Sequence, residues 1–292
     1  MSNLIDAGEL IGRLGDPRVR IVDARFDLAD PDAGRRGYER GHLPGAIYLH
    51  LEGDLSGPVA ADGRGGRHPL PDPDALAARL GELGIGDEHE VVAYDDAGGA
   101  FAARVWWLLR WLGHDDVRVL NGGLAAWRAH GGPLGEAPPD PAPARLTPRP
   151  DPAWVVDAGD VAAHLEDADR LLVDARAPER YRGEAEPIDP VAGHIPGALN
   201  LPFAGNLEED GRFLPREALR ARFAPLEGAG EVVVYCGSGV TAAHDVLAIE
   251  EAGLGVPKLY AGAWSYWCRR PALPVETGDP AANLREGGEI LD

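Results

Sequence analysis

The residues with the clearest chemical potential lie together near the C-terminal end, where the chain reads Val232-Val-Val-Tyr-Cys236-Gly-Ser-Gly-Val-Thr241. The valine-rich run predicts a buried strand ending at Tyr235, with a helix resuming by about Thr241. Gly237, Ser238 and Gly239 between them add little side-chain bulk. The amides from Gly237 through Val240 to Thr241, with the positive end of the following helix, can therefore converge on an anion. A cysteine sulfur at the centre of such a turn is expected to ionise more readily than an ordinary thiol. A thiolate held this way attacks phosphorus or sulfur. Cysteine phosphatases place an arginine six residues after the cysteine to grip phosphoryl oxygens, and that position here is Ala242. The loop carries no charged side chain, so a small sulfur species suits it better than a phosphate dianion, and sulfur transfer is the expected chemistry.

The elements that must carry this loop occur twice. Ile21-Val-Asp-Ala-Arg25 returns as Leu172-Val-Asp-Ala-Arg176, and Gly41-His-Leu-Pro-Gly-Ala46 as Gly193-His-Ile-Pro-Gly-Ala198. Val91-Val-Ala-Tyr-Asp95 precedes the cysteine segment as its counterpart, and Arg118 to Trp127 is echoed by Lys258 to Trp267. Collinear matches of this kind mean a duplicated domain. Short apolar runs alternate with helical stretches such as Asp74 to Leu83 and Ala102 to Leu112, which predicts an α/β fold: two tandem domains, each an open, mostly parallel sheet with helices on both faces. Ligands of such sheets bind beyond the carboxyl ends of the strands, which is where Cys236 falls. The proline-rich stretch from Pro138 cannot continue a helix or sheet. The expected division is a first domain over 1–137, a stiff linker over 138–152, a second domain over 153–276 and a polar tail over 277–292.

Bulk properties narrow the partners. The 292-residue chain has 48 acidic and 28 basic residues and a formal charge of -20, which disfavours nucleic acid and anionic membrane surfaces. No basic segment followed by an apolar stretch opens the chain and no apolar run is long enough for a membrane span, so a cytoplasmic location is expected. Cys236 and Cys268 are the only cysteines, too few for a disulfide framework or a cysteine-rich zinc site. Neither metal nor organic cofactor is expected.

The cysteine loop, the paired Gly-His-Leu/Ile-Pro-Gly motifs, the Val-Asp-Ala-Arg strands and Trp264-Ser-Tyr-Trp267 together resemble the two-domain rhodanese family. The loop is most similar to that of its 3-mercaptopyruvate sulfurtransferases. The resemblance implies a persulfide on Cys236, a small anionic donor (3-mercaptopyruvate, with thiosulfate as the alternative), and a thiol such as thioredoxin, or cyanide, as acceptor. It implies a silent first domain, because Asp95 stands where the cysteine would be and cannot accept sulfur. By the same pattern Arg180 holds the donor's anionic group, and Ser238, with His42 and Asp32 reaching across from the first domain, handles protons through a histidine titrating near neutrality. Many relatives carry a second arginine nine residues after the first; here that place is Asp189, so one donor contact is expected to be missing. A non-catalytic rhodanese-like binding module ranks lower, since the loop at Cys236 is intact.

Other residues invite plainer readings. Arg176 ends a strand in a motif found in both halves and should pair with an acidic neighbour. Trp106, Trp107 and Trp111 have helical spacing and should pack in the core or between domains. His244 is expected to be structural, Cys268 to pack, and nothing in the sequence requires His68 to act.

Overall fold

Strands short enough to be covered on both faces alternate with helices along the whole chain, and the repeat in the sequence becomes a repeat in space. The computed structural model describes residues 2–278; residues 279–292, most of the expected tail, lie outside the described residues. The first half contains β1 (Leu4–Ile5), α1 (Ala7–Ile11), β2 (Val19–Asp23), α2 (Ala33–Glu39), β3 (Ile47–Tyr48), α3 (Pro73–Glu82), β4 (Glu90–Tyr94), α4 (Ala102–Trp111), β5 (Val117–Leu120) and α5 (Gly123–Ala129). The second contains β6 (Val155–Val156), α6 (Ala158–Ala163), β7 (Arg170–Asp174), α7 (Pro178–Tyr181), β8 (Leu199–Asn200), α8 (Arg216–Arg222), β9 (Glu231–Tyr235), α9 (Thr241–Glu251), β10 (Lys258–Tyr260) and α10 (Ala263–Trp267). The two five-stranded sheets have matching orders, β1-β5-β4-β2-β3 and β6-β10-β9-β7-β8, and within each sheet the strands pair parallel.

The duplicated motifs turn out to be a structural latch. In register, Asp23 lies beside Tyr94 and Asp174 beside Tyr235, at the strand ends. Arg25 donates to Asp23 at 2.6 Å and to the Gly41 carbonyl at 3.0 Å; Arg176 does the same to Asp174 and Gly193, both at 2.6 Å. Each buried ion pair thus ties a strand end to its Gly-His-x-Pro-Gly turn, the role expected of Arg176.

One apolar cluster runs through both halves, with Val22, Trp106, Trp107 and Leu109 on one side and Val173, Val246, Leu247 and Ile249 on the other. The proline-rich stretch does not float. It lies along the first half through Ala144 N–H to the Gly81 carbonyl, Thr147 N–H to Asp87, and Arg149 N–H to the Leu112 carbonyl. Among the described residues no helix is long and apolar enough to cross a membrane.

Candidate active site

Strand β9 ends at Tyr235 and delivers Cys236 to a turn closed by α9. The Cys236 sulfur accepts hydrogen bonds from the Gly239 amide at 3.1 Å and the Ser238 amide at 3.5 Å. Gly239 is in the left-handed region (φ +78°), and a side chain there would press on the Ala261 backbone, so glycine is required for the turn. Helix α10 holds the loop from below: Trp264 and Ser265 N–H donate to the Cys236 and Gly237 carbonyls, each at 2.9 Å. Val240 is buried at the N-terminus of α9, and Thr241 begins that helix.

The first half shows what this loop geometry binds. Asp95, aligned with Cys236, fills its own turn: one carboxylate oxygen accepts from the Ala97 and Gly99 amides at 2.9 and 2.8 Å, the other from Phe101 and Ala102 at 2.8 and 2.9 Å. The first copy therefore gathers its loop amides on a carboxylate side chain where the other copy carries a sulfur.

Three cations surround the cysteine loop, and two come from the first half. Arg104 of α4 is fully buried; its Nη1 donates to the Gly239 carbonyl at 3.2 Å and its Nη2 faces the Leu55, His68 and Pro69 carbonyls at 3.3–3.4 Å. Among the described residues no carboxylate lies within ion-pair distance of it. Burial pulls its pKa down to about 10, while the Cys236 sulfur pulls it up, so it stays charged at neutral pH. Arg67 and Arg180 both approach the open face of Gly237.

The histidine that meets Ser238 is not the one the resemblance suggested. His68 Nδ1 lies 2.8 Å from Ser238 Oγ, and its Nε2 lies 3.9 Å from Glu52. Burial, then the charges of Arg104 and Arg67, hold its pKa down to about 4, so it is neutral at pH 7 rather than titrating there. His42, by contrast, is sealed inside its own half. It stacks on Tyr38 at 3.8 Å, its Nδ1 donates to the Tyr38 carbonyl at 2.8 Å, and its Nε2 faces the Ala137 carbonyl at 3.2 Å. His194 repeats the stacking and the first hydrogen bond on Tyr181, as a residue with a purely structural job should. Asp32 is an exposed residue at the N-terminus of α2, with no side-chain bond to the cysteine loop. Neither His42 nor Asp32 reaches the cysteine loop; the histidine brought to Ser238 is His68. A signal for this existed: from residue 49 to 72 there is no helix or strand, and loops of that length in compact domains commonly carry function.

His244 is buried and bonds to the Gly98 carbonyl at 3.0 Å, a structural role. Burial, with Asp189 adding, pushes the Cys268 thiol up to about 11, which leaves it a packing residue.

The Rhodanese-like domain family matches residues 6–130 and 157–270. The chain belongs to the rhodanese family, as a two-domain sulfurtransferase. A probable 3-mercaptopyruvate sulfurtransferase of Pseudomonas aeruginosa is 50% identical over 95% of this chain and 99% of its own length. A putative thiosulfate sulfurtransferase, SseB of Mycobacterium tuberculosis, is 44% identical over 94% of this chain and 97% of its own. Among solved structures, the 3-mercaptopyruvate sulfurtransferase SseA of Escherichia coli superposes with a TM-score of 0.78 at 32% identity, covering 91% of this rhodanese and all of that chain.

Proposed function

We propose that this rhodanese transfers sulfur from 3-mercaptopyruvate to a thiol acceptor by way of a persulfide on Cys236. The observation that carries the reading is the Cys236 sulfur held by two loop amides, beside the buried Arg104 and the Ser238–His68 pair. The thiolate attacks the donor's sulfur; a sulfur–sulfur bond forms, the carbon–sulfur bond breaks, and its electron pair passes to the methylene carbon as an enolate. The donor's thiol proton ends on that carbon, relayed through Ser238 and His68, and pyruvate leaves. Loop amides and Arg104 stabilise the persulfide anion. An acceptor thiolate then attacks the outer sulfur and releases the Cys236 thiolate; cyanide would leave as thiocyanate.

Incubation with 3-mercaptopyruvate or thiosulfate, followed by intact mass, tests this. One added sulfur is expected on the wild type and none on Cys236→Ser. If neither donor loads the wild type, the proposal fails. Faster loading by thiosulfate would move the assignment to the donor in the M. tuberculosis relative's name.

A further inference from the structure

Two arginines from different halves of the molecule stand over the catalytic loop. A methyl group on Gly237 would lie 3.2 Å from Arg67 Nη2 and 3.5 Å from Nη1 and Nη2 of Arg180, so both guanidinium groups face one point above the loop. They share one carboxylate. Asp189, whose side chain is wholly buried, accepts from Arg67 Nη1 at 2.7 Å and from Arg180 Nη2 at 3.4 Å. Glu186 takes Nε and Nη2 of Arg180, the shortest contact being 2.7 Å, and reaches Arg176 at 3.4 Å. Carboxylates and arginines thus alternate from the end of β7 to the first half's long loop.

That loop is itself fixed in place. The Arg67 amide donates to Ser265 Oγ at 3.0 Å, and a side chain on Gly66 would collide with the Gly262 carbonyl at 2.4 Å. With Nη1 tied to Asp189, the Nε and Nη2 edge of Arg67 is left over. Its Nε is buried without a partner, and its Nη2 points at Gly237. A clasp between domains would need only the Asp189 contact. Nη2 turned toward the reacting loop, with an unpaired Nε beside it on the same guanidinium, supplies the kind of edge that grips a carboxylate.

We infer that the carboxylate of a 2-oxo-acid donor binds between Arg67 of the first domain and Arg180 of the second, with Asp189 turning both guanidinium groups toward Cys236. The inference rests on the sulfurtransferase reading for its substrate class. It replaces the contact that the sequence led us to count as missing at Asp189: the second arginine comes from the other domain.

Kinetics with 3-mercaptopyruvate on Arg67→Ala, Arg67→Lys and Asp189→Asn, together with pyruvate binding to Cys236→Ser protein with and without Arg67→Ala, test it. Arg67→Ala should raise KM at least tenfold with kcat within about threefold. Lysine should recover only part, because it keeps the charge and loses the paired edge, and Asp189→Asn should fall between. Pyruvate binding should weaken in proportion, which reads the carboxylate grip without any sulfur transfer. Unchanged KM and pyruvate affinity in folded Arg67→Ala, or a fall in kcat alone, overturns the grip. A wild type that binds pyruvate through Arg67 but never forms a persulfide would sink the transfer reading and leave the grip standing.

Discussion

His68 gains its importance from its surroundings rather than its type. Its ring is nearly inaccessible, bonds to Ser238, and sits beside two arginines, so protonating it would add a third positive charge to a buried site. It should therefore exchange protons with Ser238 as a neutral imidazole. Followed by NMR titration, His68 is expected to stay neutral down to about pH 4; a midpoint near 6.5 would refute this. His68→Gln should lower kcat by about 10- to 100-fold, within the usual range for a proton-transfer group. His42→Gln should lower the melting temperature and leave kcat nearly unchanged, because its contacts are the Tyr38 ring and backbone carbonyls of its own half.

At the scale of elements, the first half contributes two pieces to the cysteine loop of the other: the segment from 49 to 72, and helix α4. An arginine buried without a carboxylate costs several kcal/mol unless something compensates. Carbonyl oxygens do part of this for Arg104, and the Cys236 sulfur, which raises the Arg104 pKa against burial, adds to it. Arg104→Gln should slow alkylation of Cys236 by iodoacetamide at neutral pH several-fold, while Arg104→Lys keeps much of the rate. Equal rates in the folded glutamine variant would show that the charge does not act on the sulfur. Cys268 serves as the internal control, since its raised pKa leaves it slow in all three proteins.

For the whole molecule, the contact between halves is a shared core with titratable groups inside it. His244 bonds to Gly98 of the first half's corresponding loop, and Asn206 donates to Asp245 at 2.6 Å. Burial holds His244 down to about 4 and pushes Asp245 up to about 8. The signs oppose each other. His68 and His244 stay neutral when folded, so the stability they contribute is full above pH 6.5 and lost as pH falls toward 4; His89 and His114, also held low, act likewise. Asp245 stays protonated when folded, so its contribution is full below 3.8 and lost as pH rises toward 8. Two histidines against one aspartate give a net gain of about 3 kcal/mol from pH 4 to 6.5, then a loss of about 2 kcal/mol up to pH 8. Denaturant unfolding across this range should show a maximum near pH 6.5. Asp245→Asn should remove the decline above it, and a decline that persists in that variant would count against the assignment.

What the sequence determined by itself is everything encoded locally: the duplicated parallel sheets, the turn that presents Cys236, the aspartate that stands in the cysteine's place in the first copy, and the pairing of Arg176 with its neighbour. Strand patterning and turn chemistry act between residues a few positions apart, so a reader of the chain can follow them. The company that Cys236 keeps was decided only by tertiary structure. Arg104 meets Gly239 across 135 residues, His68 meets Ser238 across 170, and Arg67 meets Ser265 across 198. No periodicity connects such positions. They meet because the packing of α4 against α9 presses an irregular loop of one domain onto the catalytic turn of the other, which also explains why a histidine in a repeated motif looked the better candidate than one in a featureless loop.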